Sequence, residues 1–312
     1  MESLHTDRDY DEVECKTIDG TVIRGWLFPV PGPAPAIVMS HGFNCVKEMS
    51  LPDIARWFQR HGYNVLLYDA RSIGASDGTP RNMPDVLQMA EDVSDILTFI
   101  STLPTVDPYR LLLFGMSFGA TVSGCAAAVD RRARALLMVC PLFSFIRPDR
   151  RRATFDQVVK DRVSQLRGND PLSLPPFNSR GENIAGFGGA GGPGGLEAYN
   201  LMRAAAELGH PGFRDRITMQ AFYKLAMARP MELLEMIDPS MSVMMVVPEM
   251  DDISNPEEQC LAFTKVKPSK KRLHIASGKR HLSILTGEGS EELLDAMHGF
   301  FQEALSADEP AN

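Results

Sequence analysis

The segment LLLFGMSFGA occupies positions 111–120. Leu111 to Phe114 form an apolar run that fits a strand buried on both faces. The run breaks at Gly115 and resumes after Gly119 as a small-residue helix. Gly115-Met116-Ser117-Phe118-Gly119 has the frame G-x-S-x-G, the pattern of a nucleophile on a sharp strand-to-helix turn. The physics asks for these residue types. A hydroxyl exposed on such a turn leaves no room for side chains two residues to either side, and glycine removes the collision.

Outward from this segment the chain alternates. Toward the N-terminus lie an apolar strand at 64–69, a helix at 48–61 and a short strand at 36–40. The connection 29–35 (PVPGPAP) cannot continue a sheet. A β-hairpin over 12–16 and 22–28 turns at Ile18-Asp19-Gly20. A long helix over 83–103 has Val86, Met89, Val93, Ile96 and Leu97 at helical spacing. Toward the C-terminus the next strand is 134–140. Alternation stops at Pro141 and resumes with a strand at 242–247, a helix near 256–265, a strand at 272–275 and a helix near 291–305. Strands alternating with amphipathic helices predict an α/β architecture, a mainly parallel sheet with an N-terminal antiparallel hairpin. Residues 11–140 and 242–306 are expected to form its core, and 141–241 a helical insertion placed to cover the strand ends as a lid. Tails at 1–10 and 307–312 are expected to be flexible, as is the glycine-rich stretch 181–195.

The chain has 312 residues, 44% hydrophobic and 23% charged, ordinary globular values that allow a sizeable core. A net charge of −8 argues against a nucleic-acid surface, which needs a basic patch. The cluster RPDRRR at 147–152 is the exception and reads as a solvated face. The five cysteines are odd in number, scattered and without C-x-x-C spacing, which points away from disulfides and structural zinc. Cys125 and Cys140 sit in apolar sequence and read as small core residues. No apolar run approaches 18 residues and no signal core opens the chain, so a cytoplasmic protein without a membrane span is expected. No metal or cofactor motif appears: there is no H-E-x-x-H, and GFGGAGGPGG lacks the G-K-[ST] of a phosphate loop.

A serine hydroxyl needs a base, and the base an orienting carboxylate. The turn motif predicts the order Ser, acid, His, with the latter two on loops after later strands. Pro248-Glu249-Met250-Asp251-Asp252 follows one such strand, and Ser277-Gly278-Lys279-Arg280-His281 another. His281 is the expected base; His274 falls inside a strand, His298 on the last helix and His61 at a helix end. Asp251 is the favoured acid, with Asp252 as the alternative or as a residue that turns the chain or caps the following helix; Glu249 is also in reach. Oxyanion donors are expected from the backbone N–H groups of Phe118 and Phe43. His41 is expected to brace its loop, and Asp69 and Arg71 to hold the loop 71–82 through structural ion pairs. His210, in the insertion, is a candidate substrate contact. Phe143, Phe145, Phe177, Phe187, Phe213, Phe222 and Tyr223 suit an apolar acyl chain, with at least half of them lid core.

Together, HGF, YDARSIGASDG, GMSFG, Asp251 and His281 resemble the α/β-hydrolase superfamily. More narrowly, HGFNCVKEM, ARSIGASDG, GENIAGFG and VVPEMDDIS resemble the fungal dienelactone-hydrolase-like group that includes polyketide transferases and thiohydrolases. The resemblance implies Ser117 as nucleophile, Asp251 as acid and His281 as base. It implies release or transfer of an acyl chain from a biosynthetic thioester, presented on a polyketide synthase carrier domain, without a cofactor. One departure stands out. Many superfamily members carry Gly before the catalytic His, whereas this chain has Arg280, a candidate contact for an anionic substrate. The readings set against acyl chemistry of this kind are a general carboxylesterase of dienelactone type and a pocket protein that binds only or uses His281 for a non-hydrolytic step. A homo-oligomer is compatible with the sequence but not required by it.

Overall fold

A computed structural model describes residues 9–186, 192–267 and 270–306. The first elements are β1 (Asp11–Lys16), β2 (Val22–Phe28), β3 (Ala34–Ser40), α1 (Pro52–Arg60), β4 (Asn64–Tyr68), α2 (Val86–Ser101), β5 (Val106–Met116), α3 (Phe118–Ala127) and β6 (Ala133–Val139). There follow α4 (Arg151–Leu166), β7 (Ser173–Leu174), α5 (Pro193–Glu207), β8 (Ile217–Thr218), α6 (Ala221–Met227) and α7 (Pro230–Leu233). The chain closes with β9 (Ser242–Pro248), α8 (Pro256–Lys265), β10 (Lys271–Ala276) and α9 (Ser290–Ser306).

Eight strands form one sheet in the order β1-β2-β4-β3-β5-β6-β9-β10. The hairpin β1–β2 and its junction with β4 are antiparallel, and every later pairing is parallel. β5 lies near the middle, and its pleat explains the apolar run. Leu111 and Leu113 point into one core, with Val86, Val93 and Ile96 of α2. Leu112 and Phe114 point into the other, with Phe58 of α1 and Met297 and Phe301 of α9. All four are fully buried, and burial of each stabilises by about 1.5–3 kcal/mol. A strand covered on both faces needs no polar alternation.

Two helices start later than periodicity alone indicates, for local reasons. α1 begins at Pro52, whose fixed φ and missing N–H suit the first helical position. Residues 46–51 form turns instead and carry Lys47 into the core. α2 begins after Asp85, whose side chain accepts from the amides of Leu87 and Gln88. In the glycine-rich stretch, Asn183 and Ala185 are buried, Ile146 and Gly186 form a β-bridge, and Pro193 opens α5. The flanks of that stretch are therefore packed rather than loose. The expectation for its centre, with Phe187, and those for 1–8 and 307–312 fall outside the described residues. Among the described residues no helix is long and apolar enough to cross a membrane.

Candidate active site

The turn between β5 and α3 places Ser117 at φ 56° and ψ −121°, a backbone conformation that L side chains rarely adopt. The close approaches around it show why both glycines are needed. A Cβ on Gly115 would lie 2.4 Å from Cα of Ala120, and one on Gly119 would lie 2.3 Å from the carbonyl oxygen of Ser40. The Ser117 amide donates to the carbonyl of Val139 (2.8 Å), which pins the turn to β6.

His281 lies on the loop after β10 and Asp251 on the loop after β9, so the parallel order of the sheet brings both to the strand ends beside Ser117. His281 Nε2 is 2.8 Å from Ser117 Oγ. Its Nδ1 is 3.0 and 2.9 Å from the two oxygens of Asp251. A carboxylate only accepts, so Nδ1 carries the proton and Nε2 is left to accept from the serine hydroxyl. Ser117, His281 and Asp251 are 7%, 1% and 6% exposed. In this setting the hydroxyl can pass its proton to a neutral imidazole, and the resulting imidazolium is stabilised by the carboxylate behind it.

The two loops are fastened to each other. Glu249 accepts from Ser277 Oγ (2.7 Å) and from the Gly278 amide (2.8 Å), and the Met250 amide donates to the Lys279 carbonyl. Asp251 Oδ1 accepts from the amides of Ile253 and Ser254. Its Oδ2 accepts from Gln259 Nε2 at 3.1 Å. Gln259 is fully buried on α8, and nothing in its sequence surroundings distinguishes it from a surface helix residue.

Asp252 does not reach His281. Its carboxylate accepts from the Gly194 amide at 2.9 Å and faces Arg280 at 3.7 Å. Nor does it cap α8; Asn255 does, accepting from Glu257 and Glu258. Arg280 is thereby turned toward Asp252, and neither it nor His210 lines the cavity at Ser117. His210 stands just beyond α5, its amide and carbonyl occupied by Ala205 and Phe213.

Phe118 is the first residue of α3, where a backbone N–H has no acceptor within its own helix. Phe43 follows Gly42, a Cβ on which would lie 3.6 Å from Ser117 Cβ. The rings of Phe43 and Phe118 pack edge-on at 5.3 Å. The turn between β5 and α3 and the loop after β3 thus meet at the serine.

His41 is buried with Nε2 4.0 Å from Asp69, and burial holds its pKa below the usual value. Asp69 accepts from the Lys47 amide (2.7 Å), Lys47 Nζ (2.9 Å) and the Ala75 amide (2.8 Å). Arg71 pairs instead with Asp92 and Asp19. Both residues brace loops. Sequence reading did not mark Lys47 or the position of Cys140. The Cys140 sulfur lies 3.9 Å from His281 Nε2 and 3.8 Å from the His281 carbonyl oxygen, and burial pushes its thiol pKa up. For His281, burial disfavours the imidazolium, the Asp251 carboxylate bonded to Nδ1 favours it, and the net shift is upward. Because the thiol stays protonated near neutrality, the carboxylate is the charge that matters there.

The cavity beside Ser117 measures about 50 Å³ and is walled by Phe43, Met49, Leu142, Phe177 and Met202, among others. Of the aromatic residues between β6 and β9, Phe177 alone among those described lines it. Phe143, Phe145 and Phe222 are core, Phe213 is half-buried and Tyr223 is exposed. A wider surface groove of about 890 Å³ runs past Asp252, and Leu142 and Ile253 wall both spaces.

Three comparisons bear on this arrangement. A family model described as serine aminopeptidase, S33, matches residues 31–286. A polyketide transferase of Aspergillus fumigatus, af380, is 38% identical over 296 residues, covering 95% of this chain and 98% of its own. A thiohydrolase of Eupenicillium brefeldianum is 40% identical over 290 residues, covering 93% and 92%. The solved structure of DcsB in complex with its substrate analogue superimposes with a TM-score of 0.92 at 54% identity, over 96% of this chain and all of that one.

Proposed function

Since this chain belongs to the serine aminopeptidase S33 family of α/β hydrolases, we propose that it is an acyl hydrolase or acyltransferase that takes a polyketide acyl chain from a thioester or ester through a Ser117–His281–Asp251 triad. The single observation that carries this reading is the unbroken hydrogen-bonded line from Ser117 Oγ through His281 to Asp251, buried at the strand ends. His281 removes the proton as Ser117 Oγ attacks the acyl carbon. The backbone N–H groups of Phe118 and Phe43 receive the developing oxyanion. The tetrahedral intermediate collapses, His281 returns the proton to the leaving thiol or alcohol, and an acyl-serine remains. Water or a hydroxyl on an acceptor then takes the acyl group by the same steps reversed.

The apolar walls favour a hydrocarbon-rich acyl chain over a charged one. A cavity of about 50 Å³ holds no more than a water or two, so the chain enters only when part of its cover moves. Phe177, Ala198, Leu201 and Met202 supply that cover, which supports 141–241 as a lid over a core of 11–140 and 242–306. The groove sharing Leu142 and Ile253 with the cavity is the route by which a carrier-bound thioester reaches the serine. The names of the relatives, transferase and thiohydrolase, agree with one nucleophile serving either acceptor.

The test is labelling with a fluorophosphonate probe. The wild type is expected to label and Ser117→Ala to remain unlabelled; equal labelling of the two, or none of either after the cover is loosened by Phe177→Ala, would overturn the acyl-serine mechanism. Incubating an acyl thioester with and without an alcohol then separates transfer, which gives an ester, from hydrolysis, which gives the free acid.

A further inference from the structure

Helix α4 carries its apolar side outward. Its buried residues are Thr154, Val158 and Asp161, and Asp161 is engaged by Gln165, Gln220 and the Leu172 amide. Phe155, Val159, Val163 and Leu166 are instead 40%, 58%, 42% and 88% exposed. At 3.6 residues per turn these four fall within about 80° of arc, a stripe running the length of the helix. Tyr223 and Met227 of α6 extend the patch. Arg162 stacks over the Tyr223 ring at 5.3 Å, and Phe155 and Met227 wall one surface groove. Six large apolar side chains together reach the upper end of what a monomer exposes in one patch, roughly 300–600 Å².

We propose that this face is the two-fold interface of a homodimer, α4 packing antiparallel against α4 of a second copy. One exposed rim pair, Asp156 and Arg167, is self-complementary in that arrangement, while Arg162, held over the Tyr223 ring, lies beside the axis next to its own copy. A helix pairing with itself across a two-fold axis is antiparallel to its copy, and residues equidistant from the axis face one another. An axis at the middle of the stripe sets Phe155 against Leu166 and Val159 against Val163. Asp156 and Arg167 then sit about equally far from the axis, and about 20° apart around the helix on the same flank of the stripe. In an antiparallel pair like flanks meet, so Asp156 faces the partner's Arg167, and the contact occurs twice. Both residues are exposed, and no ion pair within the described part of the chain engages either. A lipid surface fits less well, because the stripe is one helix wide with Asp156 at its edge and the chain carries a net charge of −8.

The test uses the full chain and sedimentation velocity across a micromolar concentration series. The wild type is expected to sediment as a dimer and Val159→Glu as a monomer, with wild-type melting temperature and fluorophosphonate labelling. Asp156→Arg and Arg167→Asp, each alone, set like charges face to face and are expected to weaken the dimer by about tenfold or more. An equimolar mixture of these two variants restores both opposite-charge contacts and is expected to return dimer mass. A wild type that is monomeric throughout, whether it then adsorbs to anionic vesicles or to nothing, overturns the proposal. So does a dimer indifferent to all three substitutions, or a mixture that stays monomeric.

Discussion

Replacing Asp251 with Asn isolates what the carboxylate does beyond filling space. Oδ1 accepts from the amides of Ile253 and Ser254, so asparagine would keep its carbonyl oxygen there. Its NH₂ group would take the place of Oδ2, 2.9 Å from His281 Nδ1 and 3.1 Å from Gln259 Nε2. Two donors cannot face each other, and Oδ1, though 3.0 Å from Nδ1, is already engaged by two amides, so His281 would give up the Nδ1 proton and carry one on Nε2 instead. Nε2–H then donates to Ser117 Oγ, and the base is lost while the geometry stays. A tautomer exchange of this kind in a serine triad costs about 10⁴ in kcat, about 5.5 kcal/mol of transition-state stabilisation. The clash with Gln259 adds about 1–3 kcal/mol of lost stability. The assay compares wild type, Asp251→Asn and Asp252→Asn for the rate of fluorophosphonate labelling and for the nitrophenol burst from a short-chain ester. Asp251→Asn is expected to fall by about 10³–10⁴ in both. Asp252→Asn should stay within about threefold, because its partners are Gly194 and Arg280. An Asp251→Asn rate within tenfold of wild type, or an equal loss in Asp252→Asn, would refute the reasoning.

Three further outcomes follow from the same contacts. The acid limb of the kcat/KM profile should lie above pH 6.5, because the proposed base His281 can take a proton only when neutral and its pKa is raised; the linked stabilisation is complete below about pH 6.5 and is lost as pH climbs through the raised value. A limb at or below 6.5 in a pH–rate series would contradict this. Gly119→Ala places a methyl 2.3 Å from the Ser40 carbonyl and should cost about 3 kcal/mol or more in urea melts, together with labelling at Ser117. Lys47→Met leaves the Asp69 carboxylate buried without its ammonium partner and should destabilise by about 3 kcal/mol, a loss that Lys47→Met combined with Asp69→Asn partly recovers.

Where a residue's role follows from its own neighbours, the reading held. The buried strand at 111–114, the paired glycines around Ser117 and the alternation that predicts a parallel sheet are all set by short-range sterics and pleat periodicity. Helix starts slipped by three or four residues where Pro52 and Asp85 supplied the start signal that periodicity ignores.

By itself the sequence determined the fold class and set Ser117, Asp251 and His281 on turns after successive strands, because strand length, side-chain alternation and loop position are local properties. Only the tertiary structure decided which of two adjacent aspartates faces His281, since a one-residue difference in a loop is settled by contacts with Gly194, Ile253 and Gln259 from distant segments. The same holds for Arg280, held toward Asp252 rather than toward the cavity, and for Phe177 and Met202, which line the cavity beside Ser117. It holds for α4 as well, which buries Thr154, Val158 and Asp161 and leaves its apolar stripe outside. Periodicity says that a helix has two faces; which one meets solvent depends on where the rest of the chain has packed.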